Sequence, residues 1–231
     1  MAGMFLDPAP VMASLCSRPV WFPMLLLATL VGLGAQYAAV EQIGAQSILL
    51  QGLKSNPMTS RQMGDSELEA MAARAAERGS GLLYVRPAAA LWAAVLLGAG
   101  GLTLLAMMLG LTIEYRKFVS LLAHTFWVYT VATSIVLVSV ISLASDPQSI
   151  DVPGVVQSNL GYFLNRMEHP VLYALGSSVD LFSFWQIILL GLGISVFTGR
   201  RWSVARSVLL PLALWALYAT AKTAVVYAFA A

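Results

Sequence analysis

Charged residues are scarce in this chain. Only 10% of its 231 residues are Asp, Glu, Lys or Arg, whereas 59% are hydrophobic. A soluble domain usually carries about a quarter charged residues, so the composition excludes an ordinary soluble globular protein. Because so much apolar surface can be covered only by lipid, it predicts an integral membrane protein. The net charge of +2 and the lack of a basic run give no reason to expect a nucleic-acid partner.

Metal-binding and catalytic residue types are also rare. The chain has one cysteine, Cys16, and two histidines, His124 and His169. One cysteine cannot form an internal disulfide, and these three residues make no metal cluster, so neither a metal nor a cofactor is expected. H-E-x-x-H, G-x-S-x-G, P-loop and dinucleotide-binding motifs are all missing from the sequence. The sequence therefore predicts a protein without enzymatic activity.

Five apolar runs are long enough to cross a bilayer, which needs about 20 mostly apolar residues per helix. The runs cover residues 20–40, 87–113, 118–143, 181–198 and 204–230. They predict an all-α fold, a polytopic membrane bundle of five transmembrane helices. The first run is longer than the apolar region of a signal peptide, so we expect an uncleaved span. Residues 1–19 would then be a short N-terminal segment, and residues 20–231 the membrane domain.

The connectors between these runs alternate between short and long. The long connectors, 41–86 and 144–180, must lie on one side of the membrane and the short ones on the other. A count of basic residues on the two sides does not decide the orientation. However, Arg116, Lys117 and Arg201 lie close to span ends, where the positive-inside rule acts most strongly. The sequence thus favours a cytoplasmic N-terminus and an extracytoplasmic C-terminus.

The first long connector carries a helix signal of its own. Ser66 and Glu69 have the spacing of a capping box. Apolar side chains follow at helical spacing, so a short amphipathic helix is expected over about 67–78. It could simply cover the bundle, or it could be a docking surface for a partner. In the second long connector, the apolar stretch 170–175 is too short to span but could be half inserted.

Ionisable residues within or beside the apolar runs are candidate functional residues, because charge is costly in lipid. Asp180 opens the fourth run, and Lys222 comes to similar depth near the end of the fifth, so they are predicted to form a structural ion pair. A substrate or proton site, and a Lys222 that reaches the interface alone, are the alternatives. His124 is expected to be hydrogen-bonded to a neighbouring helix. Glu114 is expected to be an interfacial charge.

Short motifs around the fourth run resemble the Yip1 family, in particular its five-span prokaryotic members. Residues 178–185, SVDLFSFW, look like the family's Asp-hydrophobic-Phe-Ser-x-Trp motif, carried here by Asp180, Phe182 and Trp185. Residues 189–195, LLGLGIS, are similar to its Leu-x-x-Gly repeat and contain Gly191 and Gly193. A basic turn follows at residues 200 and 201. Further matches lie at residues 41–44, 146–147 and 159–163, whereas the proline that the family often has in its third span is missing.

The resemblance implies five spans, a cytosolic N-terminus and no known catalytic activity. Eukaryotic relatives bind small GTPases, but the short N-terminal segment here argues against that partner. Most prokaryotic relatives are uncharacterised, and some are thought to act as partners of ABC-type exporters. The function expected is that of a scaffold, adaptor or accessory to an exporter or trafficking machinery, in the bacterial inner membrane. A small transporter or lipid-handling protein is the alternative, although the sequence lacks the internal repeat that transporters often have.

Overall fold

The computed structural model describes residues 3–56, 59, 62–79, 81–150, 152, 155, 158–165 and 168–230. Within these ranges the protein is helical and has no β-strand. The α-helices are α1 (Gly3–Leu6), α2 (Pro8–Ser17), α3 (Phe22–Ile43), α4 (Ala45–Lys54), α5 (Asp65–Glu77), α6 (Gly81–Met108), α7 (Tyr115–Leu143), α8 (Pro170–Gly176), α9 (Leu181–Phe197) and α10 (Val204–Ala230). Short 3₁₀ turns at Pro147–Ser149 and Leu160–Phe163 lie between α7 and α8.

Four of the described helices are long and apolar enough to cross a membrane, namely α3, α6, α7 and α10. The expected all-helical fold is therefore confirmed, and these long apolar helices are compatible with a multi-pass membrane protein. Helix α9 is apolar as well, but it has only 17 residues. At 1.5 Å per residue it is about 25 Å long, slightly less than the roughly 30 Å of a bilayer core. Its length alone leaves the fifth span undecided.

The predicted end of the second span is wrong, since α6 ends at Met108 and not at residue 113, and the helix begins at Gly81, before the apolar run that starts at residue 87. Its C-terminus is set by Gly110, which has a φ of 73°. The amide of Leu111 donates to the carbonyl of Ala106 over 2.9 Å, and that of Gly110 to Met107 over 3.0 Å. This is a Schellman motif, in which a left-handed glycine satisfies the last free carbonyls. Apolar residues continue past this cap, so the apolar run extends beyond the C-terminal end of the helix.

The chain forms two compact units. The first contains Met1–Val31, Ala89–Val131 and Phe182–Tyr218. Its core is built from fully buried apolar side chains of α3, α6, α7, α9 and α10, with Phe118 the largest of them. Helix α2 adds Met12 and Leu15 to this core. The short N-terminal segment, whose structure the sequence left open, therefore contains a packed helix that starts at an Asp-Pro helix-start signal.

The second unit contains Gly32–Ala88, Ala132–Leu181 and Ala219–Ala231. Its small core joins Ala39 and Ile43 of α3, Ile48 of α4 and Ile141 of α7. The side chain of Gln51 on α4 holds the second long connector, since it donates to the carbonyl of Ile150 over 2.8 Å and accepts from the amide of Val152 over 3.0 Å. The two long connectors thus lie side by side, as their alternation with the short ones predicts.

Helix α5 confirms the amphipathic helix expected in the first long connector, but its predicted cap is wrong. The helix starts at Asp65 after the N-cap Gly64, so Ser66 lies inside its first turn. Glu67 occupies the third helical position, and its carboxylate accepts from the amide of Gly64 over 3.3 Å. Only this half of a capping box exists, because glycine has no side chain to complete it. Leu68 and Ala72 form the buried face of the helix.

Candidate functional site

A polar cluster in the second unit forms where two segments of the second long connector meet. Asn159 and Asp180 form an isolated antiparallel bridge. The amide of Leu160 donates to Val179 over 3.1 Å, and that of Leu181 donates to Ser158 over 3.2 Å. These bonds fix the segment that joins α8 to α9.

Two glycines allow the backbone to come this close. A Cβ atom at Gly161 would lie only 3.0 Å from the backbone nitrogen of Ser177, and one at Gly176 only 3.1 Å from the nitrogen of Gly161. Any larger residue at either position would push the segments apart. As a result, Ser177 and Ser178 are held rigidly just beyond the end of α8.

Lys222 of α10 is bound by these two serines. Its Nζ donates to the Oγ of Ser177 over 2.8 Å and to the Oγ of Ser178 over 3.1 Å. Ser177 and Ser178 each donate their own hydroxyl proton to the carbonyl of Ala174, over 3.1 and 3.0 Å. The lone pairs of both hydroxyls are therefore available to the ammonium group. We call Lys222, Ser177 and Ser178 the lysine–serine cluster.

Asp180 belongs to the same turn, two residues after Ser178. Its Oδ1 accepts a hydrogen bond from Ser158 Oγ over 3.3 Å. The structure thus brings both predicted residues of the ion pair, Asp180 and Lys222, to one short segment. The direct contact between their charges stays a prediction. The two serines that bind Lys222 were not predicted. The signal in the sequence was a pair of hydroxyl residues just before the fourth run, at a membrane depth similar to that of Lys222.

A serine beside a lysine can also be a nucleophile with its base. That chemistry requires a neutral lysine nitrogen that accepts the hydroxyl proton. Here both hydroxyl protons are directed at the Ala174 carbonyl, and the lysine is the donor. The geometry of the lysine–serine cluster is therefore that of a solvation shell for a positive charge. In lipid, such a shell replaces the water that the ammonium group has lost.

His124 lies in the first unit and is buried within α7. Its Nδ1 is 2.8 Å from the carbonyl of Ser120, one turn earlier on the same helix. Since a carbonyl only accepts, Nδ1 carries the proton in this contact. The predicted partner on a neighbouring helix is instead a backbone group of its own helix. Ser120, in contrast, contacts a different segment of the chain, because its hydroxyl donates to the carbonyl of Val20, just before α3, over 2.8 Å.

Glu114 lies just before α7, and its carboxylate is 3.3 Å from the ammonium of Lys117. Its side chain is 68% exposed, as expected of an interfacial charge. Exposed pairs of this kind contribute little to stability. Glu114 therefore carries no further functional interpretation.

The motif residues of α9 have structural roles in the first unit. Phe182 packs edge-on against Tyr129, with ring centroids 6.1 Å apart, and Trp185 is half exposed. A Cβ atom at Gly191 would lie 2.9 Å from the Cα of Val208 on α10. One at Gly193 would lie 2.8 Å from Cδ2 of Leu121 on α7. At the two glycines α9 comes too close to its neighbours to leave room for a Cβ atom, as small residues allow in membrane bundles.

Comparison with known proteins adds no relative. No protein-family model, no curated protein and no solved structure matches the chain. The resemblance to the Yip1 family therefore rests on the short motifs alone.

Proposed function

We propose that this chain is a non-enzymatic multi-pass membrane protein that acts through a membrane-protein partner, as a scaffold, adaptor or exporter accessory. One observation carries the proposal: two ionisable groups inside its helices, Lys222 and His124, are bound by the protein itself. Lys222 is bound by two serines, and His124 by the carbonyl of Ser120. A transporter uses such groups to exchange contacts with a substrate. A scaffold uses them to hold its own segments together, as Lys222 does by binding the two serines that follow α8.

The apolar surface of the long helices supports an action through other proteins. Large side chains that are more than half exposed occur on α6, α7 and α10, among them Leu97, Leu104, Ile135 and Leu217. Within a bilayer such side chains are covered either by lipid or by the helices of a partner. The Yip1-like motifs add the expectation that the partner is an ABC-type exporter.

Five spans with a cytoplasmic N-terminus remain our proposal for the topology. In its favour, α9 is well packed in the first unit, where seven of its residues are buried. A helix surrounded by protein tolerates a length of about 25 Å more easily than one exposed to lipid. The basic residues Arg200 and Arg201 directly after α9 favour a cytoplasmic location for that turn.

Photo-crosslinking in the native membrane tests the proposed function. A photoreactive amino acid is placed at Leu97, Leu104, Ile135 and Leu217 in turn, so that positions facing lipid serve as controls for the others. We expect one face to yield a discrete crosslinked protein and the remaining positions to yield none. Crosslinks to lipid alone at every position would contradict an action through a partner.

A small transporter is the second candidate, favoured by the location of Lys222 within an apolar helix. Flux assays in proteoliposomes distinguish the two functions. If Lys222→Met abolished the flux of a solute while the melting temperature stayed the same, the lysine would be a transport residue. A scaffold should give no flux with either protein.

A further inference from the structure

We infer that a groove between α5 and the start of α6 binds the phosphate group of an anionic membrane lipid. The groove lies in the second unit, has a volume of about 800 Å³ and is lined by Met71, Arg74, Arg78 and Leu82, among others. Ligand sites usually measure about 300–1,000 Å³, so this groove could hold a lipid headgroup. The inference does not depend on the proposed scaffold function.

The charges of the groove come from two arginines spaced one helical turn apart, Arg74 in the last turn of α5 and Arg78 at its C-cap. Residues four apart lie on the same side of a helix, so both guanidinium groups can reach one ligand. The Nε of Arg74 donates to the carbonyl of Ala70 over 3.1 Å, which orients that side chain. In the described ranges neither arginine forms a salt bridge with a carboxylate. A planar guanidinium group can donate two parallel hydrogen bonds to two oxygens of one phosphate.

The position of the groove favours a lipid over a soluble phosphate. Gly81, which lines the groove, begins α6 six residues before Pro87, where the apolar run starts. That distance is about 9 Å along the helix, so the groove lies at the depth of the headgroups. Leu82 and Val85, near the groove, are 73% and 62% exposed. An acyl chain would cover these side chains, whereas a free phosphate would leave them bare.

Lipid binding to the purified protein tests this inference. The full chain in zwitterionic detergent is titrated with phosphatidylglycerol, phosphatidylcholine or glycerol 3-phosphate, and bound lipid is counted by native mass spectrometry. We expect phosphatidylglycerol to bind best. Each arginine near a membrane surface changes binding about fivefold, so Arg74→Gln with Arg78→Gln should weaken it about thirtyfold. The matched control, Arg200→Gln with Arg201→Gln, removes the same charge at another part of the membrane surface and should weaken the binding less than the Arg74 and Arg78 change does.

A second variant distinguishes a loss of lipid binding from a loss of folding in the glutamine variant. Arg74→Lys with Arg78→Lys keeps the charge but loses the paired geometry, so it should bind phosphatidylglycerol with intermediate affinity at an unchanged melting temperature. Equal binding by the wild type and the double glutamine variant would overturn the inference. Binding of glycerol 3-phosphate as tight as that of the lipid would also overturn it, because the ligand would then be a soluble phosphate.

Discussion

At the scale of single residues, Lys222 is the charge that the fold has to accommodate. Its ammonium is bound by Ser177 and Ser178, and both serines are in turn bound to Ala174. Hydrogen bonds to a charged group contribute about 1.5–3 kcal/mol. Removing the two serine hydroxyls takes two hydrogen bonds from the Lys222 ammonium, whereas removing the ammonium leaves both hydroxyls bound to the carbonyl of Ala174. The two changes should therefore have unequal effects.

The lysine–serine cluster predicts a non-additive mutant cycle. Ser177→Ala with Ser178→Ala should lower the free energy of unfolding by about 1.5–3 kcal/mol when Lys222 is present. In a Lys222→Met background the same changes should cost much less, because there is then no ammonium that loses these two hydrogen bonds. Thermal unfolding in detergent measures both. Equal losses in the two backgrounds would mean that the serines do not solvate the lysine.

Asp180→Asn in the same two backgrounds tests the predicted ion pair between Asp180 and Lys222. The pair requires that Asp180→Asn lower the free energy of unfolding more when Lys222 is present than when it is replaced by Met.

Gly191 gives a second prediction at this scale. A methyl group there would meet the backbone of Val208 at 2.9 Å, and a backbone atom cannot rotate away. We expect Gly191→Ala to destabilise the protein by about 1–3 kcal/mol through overpacking. Gly100→Ala is the matched control, because nothing lies within 4 Å of the corresponding position on α6. It should be neutral or slightly stabilising. Loss of stability in the control, but not in Gly191→Ala, would place the close helix contact elsewhere.

At the scale of elements, hydrophobic length predicted the membrane helices well and their limits less well. The first, third, fourth and fifth runs match α3, α7, α9 and α10 to within three residues at each end. The second does not, because its end depends on the left-handed Gly110. Helix α4 was missed altogether, although its sequence, AQSILLQGLK, places apolar residues at helical spacing. Contacts such as Lys222 with the two serines depend on tertiary packing, which no local pattern contains.

The contact between the two long connectors predicts a local change in dynamics. Gln51 holds the carbonyl of Ile150 and the amide of Val152. Gln51→Ala removes both hydrogen bonds, each of which contributes about 0.5–1.5 kcal/mol. Amide exchange in the peptide that contains Val152 should therefore become faster. Gln46→Ala, an exposed position on the same helix, should leave the exchange unchanged. Unchanged exchange in Gln51→Ala would show that other contacts hold the connector.

At the scale of the whole molecule, the number of crossings depends on α9. Helices α3, α6, α7 and α10 are long enough to cross by themselves. If α9 also crosses, the turn after it returns to the side of the short connector between α6 and α7. If α9 stays on one side, that turn lies instead with the second long connector. The two topologies therefore predict opposite locations for Arg201.

Single-cysteine labelling in intact cells measures that location. Starting from Cys16→Ser, cysteine is introduced in turn at four exposed positions, Gln46, Thr112, Ser145 and Arg201. Five crossings place Gln46 and Ser145 on one side of the membrane and Thr112 and Arg201 on the other. We expect an impermeant maleimide to label the first pair from outside, because the positive-inside rule puts the basic turn at Arg201 in the cytoplasm. Labelling of Arg201 together with Ser145, and not with Thr112, would reduce the count to four. Labelling of Thr112 and Arg201 alone would keep five crossings and reverse the orientation.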